Sequence, residues 1–330
     1  MRNDKTAAPA AVLRTGWILF CIPHSAFRIP NSAMIKLCHF SDIHLTAKPM
    51  GWTARDVVGK RATGWFNITA LGRGSRFKHA PAVTEVLRRD LATRGYDHLV
   101  FSGDATMLGF ESEMTLAANA LGVGDVSLPP CIAVPGNHDV YIGRAEKKHL
   151  FEAAFEPWQQ GRRIGDTHYP FAQKVGHVWL IAINSARANF WPWDASGKVG
   201  EPQLTRLREL TATLDPGPRI VVSHYPIMSP SRKAEPRFHR LRDWNRVRDV
   251  AAECGVSLWL HGHIHGWYVL PAGGELPFAT ICVGSTTQTR RWGYHEYTID
   301  GGKLSALRRV YDLAAGTFVD ADRFELELKG

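Results

Sequence analysis

Cysteine is scarce in this chain of 330 residues, and the little there is forms no framework. The five cysteines, Cys21, Cys38, Cys131, Cys254 and Cys282, show no C-x-x-C spacing. That excludes a disulfide scaffold and a thiolate zinc cage as organising devices. Cys38, Cys131 and Cys282 stand inside apolar runs as small hydrophobes, and an odd, unpaired count predicts a reducing, cytoplasmic setting. Long apolar stretches are missing too, since none approaches the roughly 18 residues a membrane helix requires. Acids are outnumbered, with 31 Asp and Glu against 40 Lys and Arg, for a net charge of +9. This favours anionic partners: phosphorylated metabolites, nucleic acid or an acidic membrane surface. No internal repeat or low-complexity tract interrupts the chain.

What remains is ordinary globular composition, 45% hydrophobic and 22% charged, enough for one large α/β domain or two smaller ones. Residues 1–33 stand apart. Arg2, Lys5 and Arg14 precede a short apolar run, Trp17-Ile18-Leu19-Phe20-Cys21-Ile22, too short for a secretory signal. With Met34 leading straight into a strand, the stretch reads as a disordered extension or a misassigned start, and 34–330 as one domain.

Apolar runs rich in strand formers recur along the chain, and each ends in polar residues able to bind a metal. Ile35–Phe40 runs into Asp42 and His44, which would point the same way on extended backbone. His98–Phe101 runs into Gly103-Asp104. Cys131–Val134 leads to Pro135-Gly136-Asn137-His138-Asp139, where Pro and Gly stop the strand and turn a carboxamide, an imidazole and a carboxylate into one small space. Arg219–Val222 ends at His224, and Val256–Leu260 runs through His261 to His263 and His265. Between these strands, helical spacing predicts helices over 82–94, 111–121, 146–155, 202–214 and 244–254. Later strands are expected at 177–183, 280–283, 294–299 and 304–311, with a hairpin turn at Asp300-Gly301-Gly302. His39, inside the first strand, is expected to pack there, and His261 to play a structural part.

Two segments break the rhythm. Residues 46–80 carry Lys48, Arg55, Lys60, Arg61, Arg73, Arg76 and Lys78 against the single acid Asp56, interleaved with Met50, Trp52, Val57, Val58, Trp65 and Phe66. The insert reads as a cap bringing cations to a substrate phosphate, as a solvated basic excursion, or, with less support, as a contact for anionic lipid. The loop 187–199 holds Trp191, Pro192 and Trp193, and such loops more often pack their own aromatics than line a substrate rim.

Five strand ends bearing imidazole, carboxylate and carboxamide oxygen, without thiolate, suit Mn, Fe or Zn at a catalytic site, with Mn favoured. In this order the motifs Asp42-Ile43-His44, Gly103-Asp104, Gly136-Asn137-His138-Asp139, His224 and Gly262-His263-Ile264-His265 resemble the calcineurin-like metallophosphoesterases. The likeness spans about residues 35–285 and is closest to the bacterial branch that includes cyclic-AMP phosphodiesterases. The resemblance implies a four-layer α/β/β/α sandwich with a dimetal site at the carboxyl ends of the strands. It also implies that Asp42, His44 and His265 bind one metal ion, Asn137, His224 and His263 the other, with Asp104 between them. His138 would face the phosphate as acid or charge stabiliser, oriented by Asp139. Met107 departs from relatives that carry an acid or amide there, which touches the surroundings rather than the ligands. The implied reaction is attack of a metal-bridging hydroxide on a phosphodiester, a small nucleotide-type substrate such as a cyclic nucleotide being favoured. The alternatives are a pyrophosphate hydrolase acting on a nucleotide-sugar or lipid-linked substrate, and a non-catalytic binding scaffold. Lipid-A pathway hydrolases of the superfamily typically place Arg where this chain has His138. No nucleic-acid module is visible, and the sequence is silent on oligomeric state.

Overall fold

The computed structural model describes residues 34–328, so the expected extension at 1–33 lies outside the described residues. In chain order the first half runs β1 (Ile35–Phe40), α1 (Ala54–Val57), α2 (Lys60–Thr69), α3 (Ala80–Thr93), β2 (His98–Phe101), α4 (Glu111–Leu121) and β3 (Cys131–Ala133). There follow α5 (Gly143–Lys147), α6 (Leu150–Ala154), β4 (Arg162–Arg163), β5 (Phe171–Val175) and β6 (Val178–Ala182). The second half runs α7 (Glu201–Ala212), β7 (Arg219–Val222), α8 (Trp244–Glu253), β8 (Val256–His261), β9 (Tyr268–Leu270), β10 (Ala279–Cys282), β11 (Gly293–Asp300), β12 (Lys303–Asp312) and β13 (Thr317–Glu327).

The strands form two mixed sheets, ordered β13-β12-β11-β1-β2-β3 and β4-β5-β6-β7-β8-β10-β9. In each, a parallel centre (β1-β2-β3; β6-β7-β8-β10) is extended by antiparallel strands. Side-chain alternation builds the layers. Leu37, Val100, Ile132, Leu180, Val222 and Leu260 meet in a core between the sheets. Their neighbours Phe40, Leu99 and Phe101 face Val83, Leu87 and Met114 of α3 and α4. Ile181, Val221 and Trp259 face Leu204, Leu207 and Val247 of α7 and α8. Strands buried on both faces read as continuous apolar runs, which is why they stand out in the sequence. Three cores separate four layers, the expected α/β/β/α sandwich.

The differences from expectation are local. The helix expected over 146–155 is two short helices, because His149 adopts φ 49° and breaks the turn between α5 and α6. β5 and β13 have no forecast in the sequence; β13 is an edge strand with most side chains exposed, held chiefly by its ladder to β12. His39 packs as expected, its ring between Tyr297 and Ser102. In the insert, α1, α2 and a 3-10 turn at Gly74–Phe77 carry the basic residues. Arg61 is buried there, bonded to Asp56 at 3.0 Å and to the carbonyls of Leu108 and Gly109.

Candidate metal centre

β1, β2 and β3 of one sheet and β7 and β8 of the other end at the same edge, and the tails that follow them are laced together. Asp42 N–H donates to Gly103 O, Ile43 and His44 N–H to Asp104 O, Gly262 N–H to His224 O and Thr286 N–H to Ser41 O. The side chains do not converge because the backbone stays extended. Among the described residues eight non-glycine positions have positive φ, and five of them are Asp42 (54°), His44 (52°), Asp104 (59°), His263 (71°) and His265 (62°). L-residues occupy that region at a cost of order 1 kcal/mol each, so the strain is concentrated where the side chains meet.

They meet in two adjoining groups. Ligand atoms of Asp42, His44, Asp104 and His265 lie within 4.8 Å of one another. His44 Nε2 is 3.1 Å from His265 Nε2 and 3.7 Å from Asp42 Oδ1. Alongside, Asn137 Oδ1 is 3.2 Å from His224 Nε2 and 3.0 Å from His263 Nδ1. Asp104 Oδ2 stands between the groups, 3.6 Å from His44 Nε2 and 3.4 Å from His224 Nε2. Its other oxygen is fixed by the His138 N–H at 2.7 Å.

The donor set fits cations. Each imidazole has its outer nitrogen against an oxygen: His44 Nδ1 on Thr106 O, His224 Nδ1 on Ser102 O, His263 Nε2 on His239 O, His265 Nδ1 on Gln288 Oε1. These bonds place the proton outward and turn the inner lone pairs toward the carboxylates and the Asn137 oxygen. The inner atoms are then nearly all acceptors, an arrangement that repels itself unless cations or protons fill it. Asp42 Oδ1 is buried 3.1 Å from His265 Nε2 yet has no hydrogen-bond partner. Burial tends to raise the Asp104 carboxyl, but His224 and His138 hold it well below the usual range. Burial lowers His224, yet Asp104 beside it lifts it to about 9, so the cluster favours positive charge at this point.

Two glycines make the approach possible. A Cβ at Gly136 would lie 2.1 Å from Asp104 Oδ1, and one at Gly262 would lie 2.3 Å from Asp42 Oδ2. The chain turns as expected after Gly136, whose O accepts from the N–H groups of Asp139 and Val140, but Gly136 does not have positive φ, so glycine is required here for the close approach rather than for the backbone conformation.

Asp139 corrects an expectation. It does not touch the His138 ring; its carboxylate accepts the N–H groups of Asp104, Ala105, Thr106 and Gly136 and the Thr106 hydroxyl. It therefore pins the loop that presents Asp104. The His138 ring is oriented by Met107, whose carbonyl accepts from Nδ1 at 2.6 Å. The unusual residue at 107 thus acts through its backbone, while its side chain is buried in the outer core. His261 is buried, with Nδ1 3.1 Å from Gly262 O.

Arg73, named in the sequence only as one of the insert's cations, proves to be the partner of His138. It reaches down from the insert to set Nη2 2.7 Å from His138 Nε2. The cavity above the cluster has a volume of 370 Å³ and is lined by Arg73, Arg76, His138, Glu235, His239, Gln288 and Arg291 besides Asp104, Asn137, His263 and His265. The basic run at 46–80 was the visible signal for Arg73 and Arg76; Gln288 and Arg291 had none.

Comparison with known proteins agrees with this geometry. The chain resembles purple acid phosphatase PPD1 from yellow lupin (TM-score 0.57, 12% identity), the match covering 90% of this chain and 54% of the other, so it spans about half that protein's length. It resembles a dimetal phosphatase from Danio rerio (TM-score 0.62, 12% identity, 89% and 99% covered). It also resembles GAP50, the anchor in the inner membrane complex of Plasmodium (TM-score 0.54, 13% identity, 90% of each covered). Likenesses at such identities speak for the fold alone, and no curated protein matches the chain. The family model for calcineurin-like phosphoesterases matches residues 35–267, a stretch that holds all five motif-bearing strand ends. The chain belongs to that family, dimetal hydrolases acting on phosphoric ester bonds.

Proposed function

We propose that the chain is a phosphodiesterase for a small nucleotide-type substrate, a cyclic nucleotide being the favoured case. In this reading Asp42, His44 and His265 hold one cation, Asn137, His224 and His263 the other, and Asp104 touches both. Manganese is favoured because the donors are nitrogen and oxygen without thiolate. When bound, the cations lower the pKa of water and neutralise phosphoryl oxygens. The protein's own part lies above them. Arg73 and His138 share a hydrogen bond at the point where a phosphoryl group would enter. As the guanidinium turns to that group, the neutral His138 Nε2 is freed to take up a proton from water and pass it to the leaving oxygen, with Nδ1–H still donating to Met107 O.

The observation that carries the reading is this pair, set over inward-facing acceptor atoms in a cavity of 370 Å³, a size suited to a small ligand. A second reading, hydrolysis of a pyrophosphate on a nucleotide-sugar or lipid-linked substrate, draws on the three guanidinium groups of Arg73, Arg76 and Arg291 at one opening. That is more positive charge than a single diester requires. The cytoplasmic assignment rests on cysteine, since Cys38, Cys131, Cys254 and Cys282 are all buried and unpaired.

The deciding experiment is turnover of a panel by the manganese-loaded chain: bis-p-nitrophenyl phosphate, cyclic nucleotides, nucleotide-sugars and phosphomonoesters. The proposal expects the diesters to be cleaved fastest. Preference for the nucleotide-sugars would establish the second reading, and no turnover with any metal would leave a binding scaffold.

A further inference from the structure

Segments near the opening above the metal centre carry apolar side chains that the fold leaves in solvent. Val58 is 89% exposed, Phe190 85%, Val57 62%, Trp193 58%, Trp191 52% and Phe238 43%. The aromatic loop packs its rings on one another rather than into the core, so they stay exposed. Its base is fixed by polar groups instead: Asp194 accepts from Ser196 and from Arg242 at 2.6 Å, and Asn189 donates to Ser196 O at 2.7 Å. Asn189, Asp194 and Ser196 are buried while the tip between them stands out. A rigid base carrying three exposed aromatic rings is a device for presenting those rings.

The exposed residues come from three segments joined at their bases. Lys60 Nζ, just after Val57 and Val58, lies 3.3 Å from Asp194 O. Ala195 N–H donates to Phe238 O at 2.8 Å. Ala195 and His239, the neighbours of Asp194 and Phe238, line the cavity over the cluster, so apolar rim and opening share an edge. Basic side chains are interleaved: Arg55 is exposed between the insert's apolar residues, and the exposed Arg237 lies 5.7 Å over the Phe238 ring.

We propose that this rim docks the protein on an anionic lipid bilayer, with Val57, Val58, Phe190, Trp191, Trp193 and Phe238 entering the headgroup region and Arg55 and Arg237 meeting lipid phosphates. Tryptophan and phenylalanine beside arginine is the composition that binds a membrane interface, and the net charge of +9 has the matching sign. A base-stacking subsite fits less well. Trp191 and Trp193 stack on each other at 4.9 Å and 16°, and Phe190 stands at 83° against Trp191. The two indoles thus spend a face on each other, while a cavity of 570 Å³ lined by Trp191, Trp193, Arg237 and Phe238 opens beside them, so the substrate's base is kept as an outcome of the test. None of the helices among the described residues is long and apolar enough to cross a membrane, so the contact is a docking at the surface.

The test is flotation of the full chain with vesicles of phosphatidylcholine containing about 30 mol% phosphatidylglycerol, against phosphatidylcholine alone. The chain is expected to float with the anionic vesicles, to shift its tryptophan emission to the blue, and to be released by salt. Phe190→Ser/Trp191→Ser/Trp193→Ser should lower partitioning roughly 100-fold, and Arg237→Glu about tenfold, both unfolding at the wild-type temperature. Flotation reads no turnover, so an inactive chain that floats upholds this proposal while defeating the catalytic one. Absence of flotation overturns it, as does flotation that neither variant reduces. A wild-type dimer dissolved by the triple variant would assign the rim to a second copy. A rise in KM for cyclic nucleotides with flotation unaltered would assign it to the substrate's base.

Discussion

Arg73 Nη2 lies 2.7 Å from His138 Nε2, so a residue of the insert and one of the strand-end motifs act as a pair over the metal centre. Arg73 is half-buried there, and the acid groups that act on its charge are the cluster's own, Asp104 and Asp42. Its charge is thus aimed at the place a phosphoryl group would take, and it gains a close anionic partner when one arrives. Arg73→Ala is expected to lower kcat/KM for bis-p-nitrophenyl phosphate about 100-fold, the loss typical of one transition-state donor. Arg73→Lys, which keeps charge but not the two-pronged donor, should recover part of it. Metal content should stay unchanged in both, and loss of metal in Arg73→Ala would refute this placement.

Asp104 and His138 are joined by one hydrogen bond but are assigned different work. Asp104 Oδ2 is the atom shared by both groups of donors. Asp104→Ala should therefore bind fewer than two metal ions per chain by elemental analysis and lose activity altogether. His138→Ala removes only the ring above the cluster, because the Asp104 contact comes from the His138 backbone. It should keep both ions and lose about 10²–10⁴ in rate. Full metal in Asp104→Ala, or wild-type turnover in His138→Ala, would each break the assignment.

Gly136 tests whether close approach, rather than chain flexibility, explains the glycine before Asn137. Its φ is one that alanine can adopt, so Gly136→Ala should be harmless if only conformation matters. An added Cβ would instead stand 2.1 Å from Asp104 Oδ1 and 2.5 Å from Asp104 N. The expected result is displacement of Asp104, with loss of metal and a stability cost of roughly 1–3 kcal/mol, read by thermal unfolding with metal chelated. An alanine variant with normal metal content would refute the crowding argument.

Most of the site was legible because its donors directly follow strands buried on both faces, and such strands are plain apolar runs. Asp42, Asp104, Asn137, His224 and His265 can thus be located without any knowledge of how the sheets pair. How they converge was not legible. The left-handed backbone at five of the donors depends on hydrogen bonds to tails of other strands, as from His44 N–H to Asp104 O, and nothing local announces them. Asp139 was misjudged for a related reason: the family resemblance implied His138 as its partner, whereas four backbone N–H groups of the two loops claim it. Arg73 was visible as charge but not as a neighbour of His138, which only the folding of the insert decides. β13 escaped notice because its stability lies in its ladder to β12, and its exposed polar residues carry no core pattern.

Glu113 links the outer core to pH. It is fully buried at the start of α4, where Oε2 accepts the N–H groups of Leu108 and Phe110 at 2.9 and 3.2 Å while Oε1 has no partner. Burial pushes its carboxyl up to about 7 against an ordinary 4.5, although the two N–H groups and Arg61 oppose the rise. The folded protein thus holds the proton more tightly than the unfolded chain does. Its contribution is fully present below pH 4.5 and is lost as pH rises through 7, by up to roughly 3 kcal/mol. Glu113→Gln keeps an oxygen for the two N–H groups and cannot ionise. Its unfolding free energy by urea denaturation should therefore gain on the wild type between pH 5 and 7 and level off above that. Any cost of the new amide protons offsets the curve without changing its slope. Parallel profiles for the two proteins across that range would show that Glu113 does not titrate there.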